Sequence, residues 1–156
     1  MNELWQKETR LERARTLASE MLDLMSTNML DYGWVPPIVI LLYTDGRRED
    51  FWPPPHLMNN AAGKWALTES IRRRTRSQPV EIVIVASDST VRTEGRPMRE
   101  AIDVMLQTAE LVEVWRQFYR RSADYVELEE RENSRSSEWK PVTGDFYNLF
   151  QTARTA

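Results

Sequence analysis

One stretch of thirteen residues, Pro79 to Val91 (PVEIVIVASDSTV), limits what the chain can fold into more than any other. Read as a strand, it puts Val80, Ile82, Ile84 and Ala86 on one face and Val83 and Val85 on the other. Only Glu81 interrupts the apolar run. A strand that is apolar on both faces must be covered on both faces. Residues 80–87 are therefore expected as the central strand of a sheet, with an apolar layer above and below. The polar run Ser87, Asp88, Ser89 and Thr90 then forms its tip.

The rest of the sequence supplies candidates for those layers. Residues 2–31 carry a broad apolar stripe, including Leu4, Leu11, Ala14, Ala18, Met21, Leu22 and Met25, and they predict a long amphipathic helix. Asn2 is a candidate cap at its start, and Gly33 a candidate stop. The breadth of the stripe favours packing on the protein's own sheet. The seven-residue spacing of Leu4, Leu11, Ala18 and Met25 also fits a dimerisation seam.

Pro36-Pro37 introduces a strand at 38–43. Asp45-Gly46 then signals a hairpin returning to Trp52, where three prolines stop it. Asn59 or Asn60 caps a predicted covering helix at about 61–76.

Residues 98–121 fit either period. Ala101, Met105, Thr108, Val112, Trp115 and Tyr119 suit a helix, whereas Ile102, Val104 and Leu106 alternate as a strand does. The β-branched and aromatic content, and the strand-like DYVEL that follows, favour a meander over about 100–109, 112–121 and 124–131. Residues 129–138 have the composition of an exposed loop. Trp139, Phe146, Tyr147, Leu149 and Phe150 are apolar anchors for docking on the domain or on a partner. The expected fold is thus α+β and mainly antiparallel. It forms a single domain over 1–150, followed by a flexible tail at 151–156.

Charge and composition remove several functions. A net charge of −3 gives no global basic field to draw the chain onto nucleic acid or an anionic membrane. The absence of cysteine excludes disulfides, thiolate nucleophiles and cysteine-held metals. The charged N-terminus lacks a signal-peptide core, and no apolar run approaches membrane-spanning length. A cytoplasmic protein is expected, with no cofactor and no metal.

Candidate sites are sparse. His56, the only histidine, suits a general base or metal ligand in principle, but a loop histidine is the simpler reading. Asp88, at the tip of the central strand, is the best carboxylate for a metal-dependent hydrolase. Such chemistry needs two or three converging acids, drawn here from Asp45, Glu49, Asp50 and Glu94, and no motif fixes a second. The simpler reading has Asp88 and Ser89 satisfying turn amides. The match Glu138-Trp139-Lys140 to half of a nuclease pattern is short. Ser87, Ser89 and Thr90 lack a nucleophile elbow, and Gly63-Lys64 lacks the rest of a phosphate loop.

Arg72, Arg73, Arg74 and Arg76, together with Arg116, Arg120 and Arg121, form the basic clusters that a nucleic-acid reading would use. Cations at the end of a helix also complement its dipole. The six tryptophans suit core anchoring, although Trp34 and Trp52, with Tyr32 and His56, could line an aromatic groove.

The stretches VPPIVILLYTDGRREDF, ALTESIRRRTRSQPVEIVIVASDS and REAIDVMLQT resemble a loose group of small phage and bacterial proteins of unknown function. The resemblance implies an α+β sheet with a covering helix and carries no catalytic residues. The functional expectation is a non-enzymatic accessory or interaction protein, encoded by a phage or mobile element. It would act through a protein partner or self-association, with Leu4, Leu11, Ala18, Met25, Phe146 and Phe150 as interface candidates. A nucleic-acid-associated protein and a metal-dependent hydrolase centred on Asp88 are the alternatives.

Overall fold

The computed structural model describes residues 3–136, 146 and 148–150. It is an α+β fold in which six antiparallel strands lie in the order β2-β1-β3-β4-β5-β6. The strands are β1 (Ile38–Tyr43), β2 (Arg48–Phe51), β3 (Val80–Val91), β4 (Arg99–Gln107), β5 (Val112–Arg121) and β6 (Val126–Ser136). The helices are α1 (Glu3–Tyr32) and α2 (Ala61–Ser77), with a short 3-10 turn at Pro55–Asn59.

As its composition requires, β3 is interior, paired with β1 on one side and β4 on the other. The two apolar faces of β3 go to separate cores. Ile82, Ile84 and Ala86 face α1, and share a core with Ala14, Ala18, Leu22, Met25 and Met29. Val83 and Val85 face α2, and pack in a second core with Leu67, Ile71, Phe146 and Leu149. Glu81, the one charge in the run, is paired with Arg10 of α1 at 2.6 Å.

Local signals end and start the elements as the sequence implies. Gly33 adopts φ 77° and its N–H donates to the Met29 carbonyl, a left-handed helix stop that a side chain would strain. The Asn60 side chain accepts from the Gly63 N–H at 2.7 Å and caps α2. The Asn2 cap lies outside the described residues, as does the expected flexible tail at 151–156.

The meander favoured for 98–121 is what the structure has: β4 and β5 take the place of the helical alternative, because β4 pairs along β3 from Val83↔Gln107 to Val91↔Arg99. Two expectations are corrected. The polar run 87–90 is a continuation of β3 rather than a turn, so Asp88 and Ser89 are not serving turn amides; they pair with Ile102 and Ala101. Most of the expected loop at 129–138 is strand, since β6 runs to Ser136 along β5. Its charges are those of an exposed sheet edge, where they discourage pairing with another chain.

Candidate functional site

The register gives the molecule two distinct ends. At one lie the β1–β2 turn, the start of α1 and the end of α2; Val80 pairs with Tyr43 there, and Lys7 meets Glu110. At the other, Ile38 pairs with Ala86 and β3 runs on to Val91. This second end also holds the close of α1, both proline segments and the β5–β6 turn. Asp88, Arg120, Arg121 and the aromatic candidates Tyr32, Trp34 and Trp52 sit there.

Its framework is a buried tyrosine. Tyr119 lies on the α1 face of β5 and its hydroxyl donates to Asp88 Oδ1 at 2.6 Å. Arg121, two residues on, reaches back to the carbonyl of Gly33 at 2.9 Å and so closes the end of α1. Burial pushes the Tyr119 hydroxyl well above its ordinary value, and the Asp88 carboxylate beside it acts in the same direction. For Asp88, desolvation raises the carboxyl and outweighs the Tyr119 hydrogen bond, the Arg121 charge and the Ser89 N–H, all of which lower it. Much of the Asp88 side chain nevertheless stays exposed. Its carboxylate can accept a proton or further hydrogen bonds, but among the described residues it stands without the second and third acids that hold a divalent ion. Among the described residues, no three acidic or histidine side chains come together as a metal site. Asp45 instead accepts from the Arg47 N–H in the β1–β2 turn, Asp50 pairs with Arg48, and Glu49 with Arg74.

The opposite face carries a second polar group. Arg116 grips Asp103 through two bonds of 2.7 and 3.0 Å, and Ser89 donates to the same carboxylate at 3.0 Å. With Asn59, Lys64 and Ser87, these residues line an open cleft of about 690 Å³. Ser89 gains no base from this arrangement. Its hydroxyl proton points to a carboxylate already neutralised by Arg116, so the hydroxyl is not activated as a nucleophile.

The basic clusters do not merge. Arg74 and Arg76 close α2 at the Tyr43 end, while Arg120 and Arg121 lie near the far end of β3, about 30 Å away by strand rise. Within them, Arg72 pairs with Glu69, Arg74 with Glu49, Arg116 with Asp103 and Arg120 with Glu127. Arg73 and Arg76 are exposed. Each pair cancels charge that a phosphate backbone would otherwise meet.

The interface candidates divide. Ala18 and Met25 are buried against the protein's own sheet and Leu11 is partly buried there, so the heptad stripe is used within one chain; Leu4 remains exposed. Phe146 is buried and Phe150 half-buried on the second face of the same sheet. His56 is exposed on the 3-10 turn. The Glu138-Trp139-Lys140 match lies outside the described residues. Gly63 is a packing requirement: a Cβ there would stand 2.2 Å from the Leu57 carbonyl oxygen.

Sequence reading passed over Tyr119 as the partner of Asp88, Arg121 as the helix-end anchor, and Asp103 altogether. Only one signal could have found them. Strand alternation places Glu113, Trp115, Gln117 and Tyr119 on one face of β5, but their partners follow from pairing.

What this end offers most plainly is aromatic surface. Tyr32, the last residue of α1, is 73% exposed. Trp34, just before β1, is 55% exposed and Trp52, just after β2, is 60%. Prolines follow both tryptophans closely, and Asn28 Nδ2 donates to the Trp34 carbonyl. Comparison with protein-family models, curated proteins and solved structures finds no match.

Proposed function

We propose that this chain is a non-enzymatic accessory or interaction protein that acts through protein–protein contacts, with Tyr32, Trp34 and Trp52 as its contact surface. One observation carries the reading: three large aromatic side chains are more than half exposed at the same end of the sheet. Exposing such rings to water is costly, and tryptophan and tyrosine are the residues most enriched where proteins bind each other. The nearby prolines fix the backbone that presents them, so little ordering entropy remains to be lost on contact. The likeness to small phage and bacterial proteins is in keeping with an accessory role in a phage or mobile element.

The test compares the wild type with a Tyr32→Ser, Trp34→Ser, Trp52→Ser variant. A Trp5→Ser variant at the opposite end serves as control. Light scattering measures self-association, and cross-linking with mass spectrometry identifies partners. The expected result is a complex made by the wild type and the control and lost in the triple variant, with melting temperature unchanged. A wild type that stays monomeric at high concentration, and cross-links to the same set of proteins as the triple variant, would sink the reading.

A further inference from the structure

Away from the aromatic end, the groove beside α2 holds a later segment of the chain. Phe146, Asn148, Leu149 and Phe150 lie in the groove between α2 and the second face of the sheet. Phe146 and Leu149 are buried there in one apolar cluster with Leu67, Ile71, Val83 and Val85. The described polar contacts that hold this segment run from side chains of the body to the segment's main chain. Gln107, fully buried, donates through Nε2 to the Phe146 carbonyl and accepts from the Leu149 N–H at 3.1 Å. Arg72 Nε donates to the Asn148 carbonyl at 3.0 Å, and Thr75 Oγ1 to the Leu149 carbonyl at 2.6 Å.

The groove therefore reads backbone groups together with two apolar side chains three residues apart. That is how a protein recognises a short peptide rather than how strands build a sheet. Two further facts bear on how tightly the segment is held. Phe146 and Asn148 both adopt left-handed backbone, φ 66° and 56°, which opposes docking, most of all at the phenylalanine. The sequence between is also long enough to reach. Ser136 and Gln107 both pair with Val112, so they stand two strand spacings apart, about 10 Å. Nine residues, 137–145, separate Ser136 from Phe146 in sequence and can extend to about 30 Å.

We propose that this groove is a peptide-binding site, and that the chain fills it in cis with its own Phe146 and Asn148–Phe150 as a resident, displaceable ligand. The ligand class is a peptide turn with a phenylalanine and a leucine at positions one and four. Tethering keeps the resident segment at an effective concentration of order 1 mM, so a competitor meets a closed groove until the tether is cut.

The experiment uses the full chain with a protease recognition sequence inserted between residues 139 and 140. After cutting, the fragment should separate from the body on size exclusion at roughly 1 μM, a thousandfold below the tethered concentration. The body should keep its circular dichroism spectrum and a cooperative melt. A fluorescent peptide spanning residues 140–156 should bind the cut protein at least tenfold more tightly than the uncut one. The same peptide with Leu149→Ala should lose at least tenfold in affinity. Two results overturn the proposal: a fragment that leaves only when the body unfolds, or a body that unfolds once the fragment leaves. Either would make the segment part of the core rather than a ligand.

Discussion

Over β1 and β3 the second face of the sheet is closed by α2, whose Leu67 and Ile71 pack on Val39, Leu41, Val83 and Val85. Over β4 to β6 the same face has no helix among the described residues. There the cover is made of long charged side chains. Arg99 lies over the Phe118 ring at 3.7 Å and meets Glu129 and Glu130; Arg116 lies beside it and holds Asp103; Arg120 pairs with Glu127. Phe118 is almost as buried as the residues under α2. Arginine stems can exclude water from a ring while their heads remain solvated, so burial alone does not distinguish the two halves. The difference lies in what replaces the cover when it moves. A helix that leaves exposes an apolar core, whereas an arginine that leaves exposes one ring and regains its own freedom.

Three measurements test that contrast, and a fourth probes the α1 face beside it. The largest effect belongs to the helix-covered half, where Ile71→Ala should lower unfolding free energy by about 2–5 kcal/mol in denaturant melts, because the surrounding core is packed and relaxes little. Phe118→Ala removes a larger side chain yet should cost only about 1–2 kcal/mol, because the arginines above it can fall into the gap. A Phe118 loss as large as that of Ile71 would mean the charged cover is as rigid as the helix. Asp103→Ala should cost roughly 1 kcal/mol or less at low salt. The loss should shrink in 1 M sodium chloride, since partly exposed pairs are screened; a salt-independent loss would place the Arg116 pair inside the core.

The smallest effect is at Asp88. Its carboxyl sits above its ordinary value, so the folded state holds the proton more tightly than the unfolded one. The resulting stabilisation is complete below the unfolded value and is lost as pH rises through the folded value. Asp88→Asn should therefore gain on the wild type across that acidic window and equal or exceed it at neutral pH. The gain is small because much of the side chain is exposed. Acid melts showing the wild type pulling ahead as pH rises would reverse the sign.

The aromatic end was partly legible in the sequence. Tyr32, Trp34 and Trp52 stand beside helix-stop and proline signals that mark element ends, and ends gather at the margins of a sheet. Their exposure was not legible, because a tryptophan anchors a core as readily as it marks a contact. Nor was the Asp88–Tyr119 bond, since the two residues are 31 positions apart and meet only through the β3–β4–β5 pairing.

Local chemistry by itself determined the doubly apolar β3, the Gly33 stop, the Asn60 cap and the turn at Asp45-Gly46. Each is set by covalent geometry or by hydrogen bonds within a few residues, or by a period that burial imposes on one element. Tertiary structure alone decided that charged residues up to Ser136 extend the sheet, and it settled two choices that the sequence only favoured: strand over helix for 98–121, and closure of the α1 stripe on its own sheet. Those choices depend on which distant backbone supplies the partner for each N–H and C=O, and a sequence pattern compatible with two periods does not name that partner.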